Sequence, residues 1–263
     1  MKRAHLLVML KLKKRHDAFR EGLEKIGFEV SMEAPGGGDQ RGNVMVLWNR
    51  RGEDHQRACR FEMNGGTVLV AENGYLATNS AGHRMYALAK GGHNGIGTWY
   101  IGQHQRAPML DIKLQPWRKE GRNILVCPSR GMGQPQYAMP MGWVQNTVGR
   151  LTKLTKRPIR IRYHPGEESN PKHKDVLEDD FKDVWCVVIW ASGVGVKALV
   201  HGLPVIYTCP IWIGSEAAGN ALETIEAPVM GDREAMLERL AWAQWSVEEI
   251  RTGQPFRFLL ERI

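Results

Sequence analysis

The sequence is short of cysteine, of long apolar runs and of the usual leader and nucleotide signatures. Its four cysteines, Cys59, Cys127, Cys186 and Cys209, are scattered and form no Cys-x-x-Cys pair. That spacing argues against a zinc site and a disulfide scaffold, and suits reduced thiols in a cytoplasm. No apolar run approaches the roughly 20 residues of a membrane-spanning helix. The basic and apolar start, MKRAHLLVMLKLKKRH, has no small-residue cleavage site, so it reads as a first core strand rather than a signal peptide. No internal repeat of roughly 20–50 residues is present, and no stretch matches a P-loop.

What is there is a globular composition. The 263 residues are 43% hydrophobic and 24% charged, enough for one large α/β domain or two small ones. The net charge of +8 allows a polyanionic partner such as DNA or an anionic membrane surface. It is equally ordinary for an enzyme that touches neither.

Short apolar segments alternate with helical patterns along the chain. Strands are expected at residues 4–9, 28–31, 43–48 (NVMVLW) and 67–71 (TVLVA), with helices at 15–26 and 52–63. This alternation predicts a parallel sheet covered on both faces, with ligands at the carboxyl ends of its strands. Glu72, in the segment ENGY after TVLVA, is placed at such an end. Residues 77–105 are rich in glycine and histidine. They hold His83, His93, His104 and the run GGHNGIG, and read either as a hairpin with a glycine-rich turn or as a substrate wall containing Trp99 and Tyr100.

After a linker at 114–122, NILVC (123–127) opens a second sheet. The loop at 128–141 carries Arg130, Gly131 and Gly133. A helix is expected at 143–154 and a strand at PIRIRY (158–163), ended by His164-Pro165. The acidic run at 178–180 reads as a solvated face. The stretch WASGVGVKALVHGLPVI (190–206) then reads as a strand end, a small-residue turn, a short helix and the next strand. A turn of this kind presents backbone N–H groups to an anion, with Ser192 as an added donor. It also fits an ordinary βαβ unit whose glycines serve packing. A last helix is expected at 233–245.

In a parallel sheet the loop after NILVC, His164 and Ser192 converge at the carboxyl ends of neighbouring strands, a place fit for a diphosphate. On these residues the second half resembles the donor-binding domain of capsular-polysaccharide-type glycosyltransferases, including the Kdo transferases. The matching segments are Arg160, Arg162, His164 and Pro165, and then Ser192, Ala198, Leu199, Gly202, Pro204 and Val205. In that family the histidine and serine hold the donor phosphate. The family's strand-end motif E-D-G-F parallels Glu72-Asn73-Gly74-Tyr75, with Asn73 in place of the second acid. The tail QWSVEEIRTGQPFRFLL resembles the ends of small bacteriophage glycosyltransferases that modify DNA.

The resemblance implies an α/β fold of two Rossmann-like domains facing each other across a crevice, the GT-B architecture. Residues 1–116 would bind the acceptor and 117–245 the nucleotide-sugar donor. Residues 246–263 would pack back on the first domain. It implies a metal-independent cytoplasmic transferase with no cofactor, a nucleotide sugar (UDP-linked, or CMP-linked) serving as co-substrate. Glu72, or else Asp39, would be the catalytic acid/base. Arg130, Gly131, Gly133, Arg160, Arg162, His164, Ser192, Gly193 and Val194 would hold the donor. Apart from the resemblance, the basic residues gathered after the first strand, Lys13, Lys14 and Arg15, together with His93, Trp99 and Tyr100 of the 77–105 region, are expected to meet the acceptor, hydroxymethylated pyrimidines of phage DNA. The alternatives are a surface-polysaccharide acceptor, an epimerase of the same architecture, and a non-catalytic nucleotide- or DNA-binding relative.

Overall fold

The computed structural model describes residues 2–8, 13–79, 81–103, 105–131, 133–164 and 176–261; Lys11, His104 and Pro165 lie outside them. In chain order the elements are β1 (Arg3–Leu7), α1 (Lys13–Lys25), β2 (Glu29–Ser31), β3 (Val44–Trp48), α2 (Gly52–Met63), β4 (Thr67–Thr78), β5 (Arg84–Lys90), β6 (Asn123–Cys127), α3 (Trp143–Leu154), β7 (Ile159–Ile161), α4 (Leu177–Asp180), β8 (Val184–Ile189), α5 (Gly193–Val200), β9 (Val205–Tyr207), α6 (Arg233–Ala243), β10 (Gln244–Ser246), α7 (Val247–Thr252) and α8 (Gln254–Glu261). They form two Rossmann-like α/β units. One comprises Met1–Asp111, Gly133–Gln136 and Glu238–Ile263, the other Ile112–Met132 and Tyr137–Leu237.

The first unit holds a six-stranded sheet in the order β10-β5-β4-β3-β1-β2. Strands β2, β1, β3 and β4 run parallel, while β5 and β10 are antiparallel additions. The expected parallel sheet is therefore only part of it. Residues 79–83 are too few for a crossover helix, so β4 and β5 form a hairpin. The inner strands are buried on both faces and alternate strictly. Val44, Val46, Leu69 and Ala71 pack with Phe19, Leu23, Trp245, Ile250 and Phe256 of α1, β10, α7 and α8. Met45, Leu47, Val68 and Val70 pack with Ala58 and Phe61 of α2. Each fully buried valine, leucine, isoleucine, methionine or phenylalanine among them contributes about 1.5–3 kcal/mol. Helices α1 and α2 thus cover opposite faces, and the strand order reverses between β1 and β3.

Residues 244–261 complete this unit. Strand β10 pairs with the edge strand β5. Helix α7 starts with a capping box, in which Ser246 Oγ accepts from Glu249 N–H while the Glu249 carboxylate accepts from Ser246 N–H, and it stops at Gly253 in the left-handed region (φ 82°).

The second unit is a parallel sheet in the order β7-β6-β8-β9. Its strand β8 (VWCVVI) is buried throughout, as an uninterrupted apolar run demands. Ile124, Val126, Cys186, Val188 and Ile206 form its core with Trp143 and Leu151 of α3. The acidic run at 178–180 is not wholly a solvated face. The Asp180 carboxylate pairs with the buried Arg162, and the Asp180 carbonyl accepts from Arg160 Nη2 at 2.7 Å.

Candidate active site

In the second unit the segments after β6, β8 and β9 are knitted by indole hydrogen bonds. Trp190 Nε1 donates to the Tyr137 carbonyl and Trp143 Nε1 to Thr208 Oγ1, both at 2.8 Å. This fixes the turn that starts α5. Ser192 is the N-cap, its Oγ accepting from Val194 N–H at 3.3 Å, and its carbonyl accepts from Gly195 N–H at 3.1 Å. The Ser192 hydroxyl keeps its proton for an incoming ligand. Gly193 is exposed, and a Cβ there would meet nothing within 4 Å. Gly195 is different, because its Cβ would lie 2.6 Å from Ile189 and from Trp212.

The candidate donor residues divide. Arg130, Gly131, His164 and Gly193 are exposed, and Ser192 and Val194 are half-buried. The Val194 N–H is already taken by the serine cap. Arg160 and Arg162 are turned to Asp180 and Lys182, so they brace the segment after α4 instead of presenting charge to a phosphate. Gly133 is buried and belongs to the first unit. Cys127, at the end of β6, has its thiol pushed up to about 12 by burial, which makes it inert as a nucleophile. A shallow depression of about 790 Å³ lies among Arg118, Gly121, Arg122, Arg157 and Asp183, next to the amino ends of β6 and β8. Arg118 and Arg157 there are spent on backbone carbonyls of Phe181, Val184 and Gly121. That depression is away from the edge where such sheets bind ligands.

In the first unit Glu72 is not at a strand end, as expected, but within β4, paired with Ala87 of the hairpin. The alternation puts it on the same face as Val68 and Val70. Its carboxylate is about a quarter exposed, and His93 Nε2 lies 3.7 Å from Oε2. The adjoining Tyr75 has its phenol raised by burial and by the Glu72 charge, and accepts from Asn94 N–H at 2.9 Å. His93 itself is buried, which removes it from direct contact with an acceptor. Asn73, on the other face, accepts from Arg84 at 3.4 Å.

The other expected acceptor residues are mostly committed to packing. The Arg15 guanidinium is buried and sits 4.0 Å over the Trp48 ring. Tyr100 stacks on Phe258 at 5.4 Å and meets Trp242 edge-on. Trp99 packs against the same core beneath Arg239, 5.0 Å away. Large aromatic rings gain more from this burial than from solvent exposure. Lys13 and Lys14 are exposed in the first turn of α1. Asp39 is exposed and chelated by Arg41, whose hydrogen bonds pull its carboxyl down to about 2. A carboxylate held that low is a poor proton acceptor at neutral pH, which argues against Asp39 as a base.

From the sequence, Tyr75 stands only as part of the ENGY motif, Gln134 has no role of its own, and Arg50 reads as one of the basic residues flanking the strand at 43–48 that would face the acceptor. Arg50 is buried, gripped by Glu62 at 2.6 and 2.7 Å, and donates to the Gly91 carbonyl at 2.6 Å. Gln134 donates to the same carbonyl at 2.8 Å. Burial removes Arg50 from any solvent-facing role. Among the described residues no group of three or more metal-ligating side chains is present, and no helix is long and apolar enough to cross a membrane.

By sequence the chain matches no protein family and no curated protein. By structure it is similar to Thermosulfurimonas dismutans KpsC, beta Kdo 2,7 transferase, at 12% identity and TM-score 0.59, over 96% of this chain and 98% of that one. It is similar to Thermosulfurimonas dismutans KpsC, beta Kdo 2,4 transferase, at 14% identity and the same TM-score, over 97% and 94%. The fold of both units is therefore the fold of these glycosyltransferase structures.

Proposed function

We propose that the protein is a glycosyltransferase that moves a sugar from a nucleotide sugar to a hydroxyl of a glycan. The observation that carries this reading is the likeness to two Kdo transferase structures over nearly the whole chain, both units included. The second unit holds the donor. The open start of α5 at Gly193, the Ser192 hydroxyl, Arg130 and His164 receive the leaving phosphate, and these donors stabilise its charge without a metal ion. The first unit supplies the base. Glu72 takes the proton of the acceptor hydroxyl, the acceptor oxygen bonds to the anomeric carbon, and the electron pair of the breaking carbon–oxygen bond leaves with the phosphate.

A DNA acceptor has one observation in its favour, the exposed Lys13, Lys14, Arg51 and Arg84 of the first unit. Against it, Trp99 and Tyr100, the rings a flipped base would need, are partly buried against the core of the first unit. The test incubates the protein with UDP- and CMP-linked sugars and either glycan or hydroxymethylated DNA acceptors, and reads products by mass spectrometry. Glycan product is expected, with Glu72→Gln abolishing transfer while nucleotide-sugar binding is retained. Product on DNA alone would replace the glycan acceptor. A Glu72→Gln variant that transfers at the wild-type rate would remove Glu72 as the base.

A further inference from the structure

The loop after β5 is built around one histidine. His93 is 7% exposed, and its Nδ1 is buried with no hydrogen-bond partner. The loop is anchored on both sides of it. Before it, the Gly91 carbonyl accepts from Arg50 and Gln134 and the Gly91 N–H donates to the Val68 carbonyl at 2.8 Å. After it, Asn94 N–H donates to the Tyr75 hydroxyl, and Ile96 N–H donates to the His93 carbonyl at 3.0 Å. Gly133 closes on the ring, since a Cβ there would lie 3.3 Å from Cε1, and its φ of 121° suits glycine alone. These restraints hold the loop that carries the ring, and among the described residues the carboxylate paired with it is Glu72.

We propose that His93 is a positioning residue for Glu72. This rests on the reading of Glu72 as the base. Nε2 is the ring nitrogen that faces Glu72, 3.7 Å from Oε2, so a tautomer with its proton on Nε2 suits this pairing. Held at Oε2, the carboxylate turns its other oxygen to the acceptor hydroxyl. The present 3.7 Å is longer than a hydrogen bond, and such contacts close when substrate binds. His93 keeps its proton throughout, and Glu72 alone takes the acceptor's.

Two measurements test this. The first is NMR of the ¹⁵N-labelled imidazoles in the full chain, with the His93 signal assigned by its loss in a variant. The expected pattern is a proton on Nε2, and ring shifts that move in Glu72→Ala. The second is steady-state transfer by His93→Phe, which keeps the ring volume, and His93→Gln, whose amide can stand in for Nε2–H. The expected result is a kcat lowered about tenfold to a hundredfold in His93→Phe, a part of the roughly 10²–10⁴-fold that a general base supplies. Donor KM should be unchanged, and most of the rate restored in His93→Gln. A His93 ring that ignores Glu72→Ala overturns the inference whatever the rates, and so does a wild-type kcat in folded His93→Phe. If His93→Phe does not fold, the NMR pattern still decides. Full transfer by Glu72→Gln is a separate failure, because it removes the base itself.

Discussion

Two glycines only two positions apart in α5 serve different ends. Gly193 faces open space and Gly195 faces Ile189 and Trp212. Gly193→Val should therefore leave the melting temperature near wild type and, on the proposed function, weaken nucleotide-sugar binding severely, because its side chain would stand in the proposed phosphate site. Gly195→Ala should lower the melting temperature, since overpacking a tight core costs about 1–3 kcal/mol. Calorimetric titration of donor beside thermal melts separates the two, and similar melting losses from both would show that the turn only packs. In the sequence Gly193 reads as a donor residue and Gly195 as part of the same small-residue turn, with no local signal for what either one packs against. Which one meets solvent depends on Trp212, a residue nearly twenty positions on. The same limit hid the fate of Arg160 and Arg162. An arginine-rich strand is legible, but its partner Asp180 lies across a segment that reads as surface.

Strands and helices were the most legible level, because their periods are local. The buried run of β8, the spacing of α3 and the turn before α5 all fall within a residue or two of their sequence signals. Strand β4 runs well past its apolar signal TVLVA, to Thr78. Its second half, ENGYLAT, mixes polar and glycine residues and pairs with β5 only through a register shift after Asn73. Gly74 makes that shift possible. A Cβ there would lie 2.8 Å from the Leu76 and Met85 carbonyl oxygens, backbone atoms that cannot step aside. Gly74→Ala should cost about 1–3 kcal/mol in urea unfolding and reduce transfer as well, since Glu72 precedes the irregularity. Wild-type stability in this variant would mean that the hairpin tolerates a regular register.

At the scale of the molecule, the two-unit α/β organisation followed from alternating strands and helices, but the antiparallel edge of the first sheet did not. Pairing between β5 and β10 spans more than 150 residues of chain, and nothing local encodes it. Stability should also depend on pH. Burial lowers the pKa of His16, and that of His55, below the ordinary 6.5. The folded state then binds fewer protons than the unfolded chain as the pH falls past that value. Stability is full above it and declines as the pH falls through the folded pKa. Denaturant midpoints between about pH 7 and pH 5 should fall accordingly, and His16→Phe should flatten the decline; an unchanged slope would assign it to other groups. The closing of the first sheet by β10, α7 and α8 has a consequence for synthesis. Domains ordinarily fold in the order they leave the ribosome. Here the amino-terminal unit lacks an edge strand and the helices that seal one face until residue 261 has emerged. The second unit has every strand of its sheet by residue 207. Translation therefore delivers the later unit finished and the earlier one open, so the nascent first half, with Phe19 and Leu23 uncovered, is the part of the chain that most needs a chaperone.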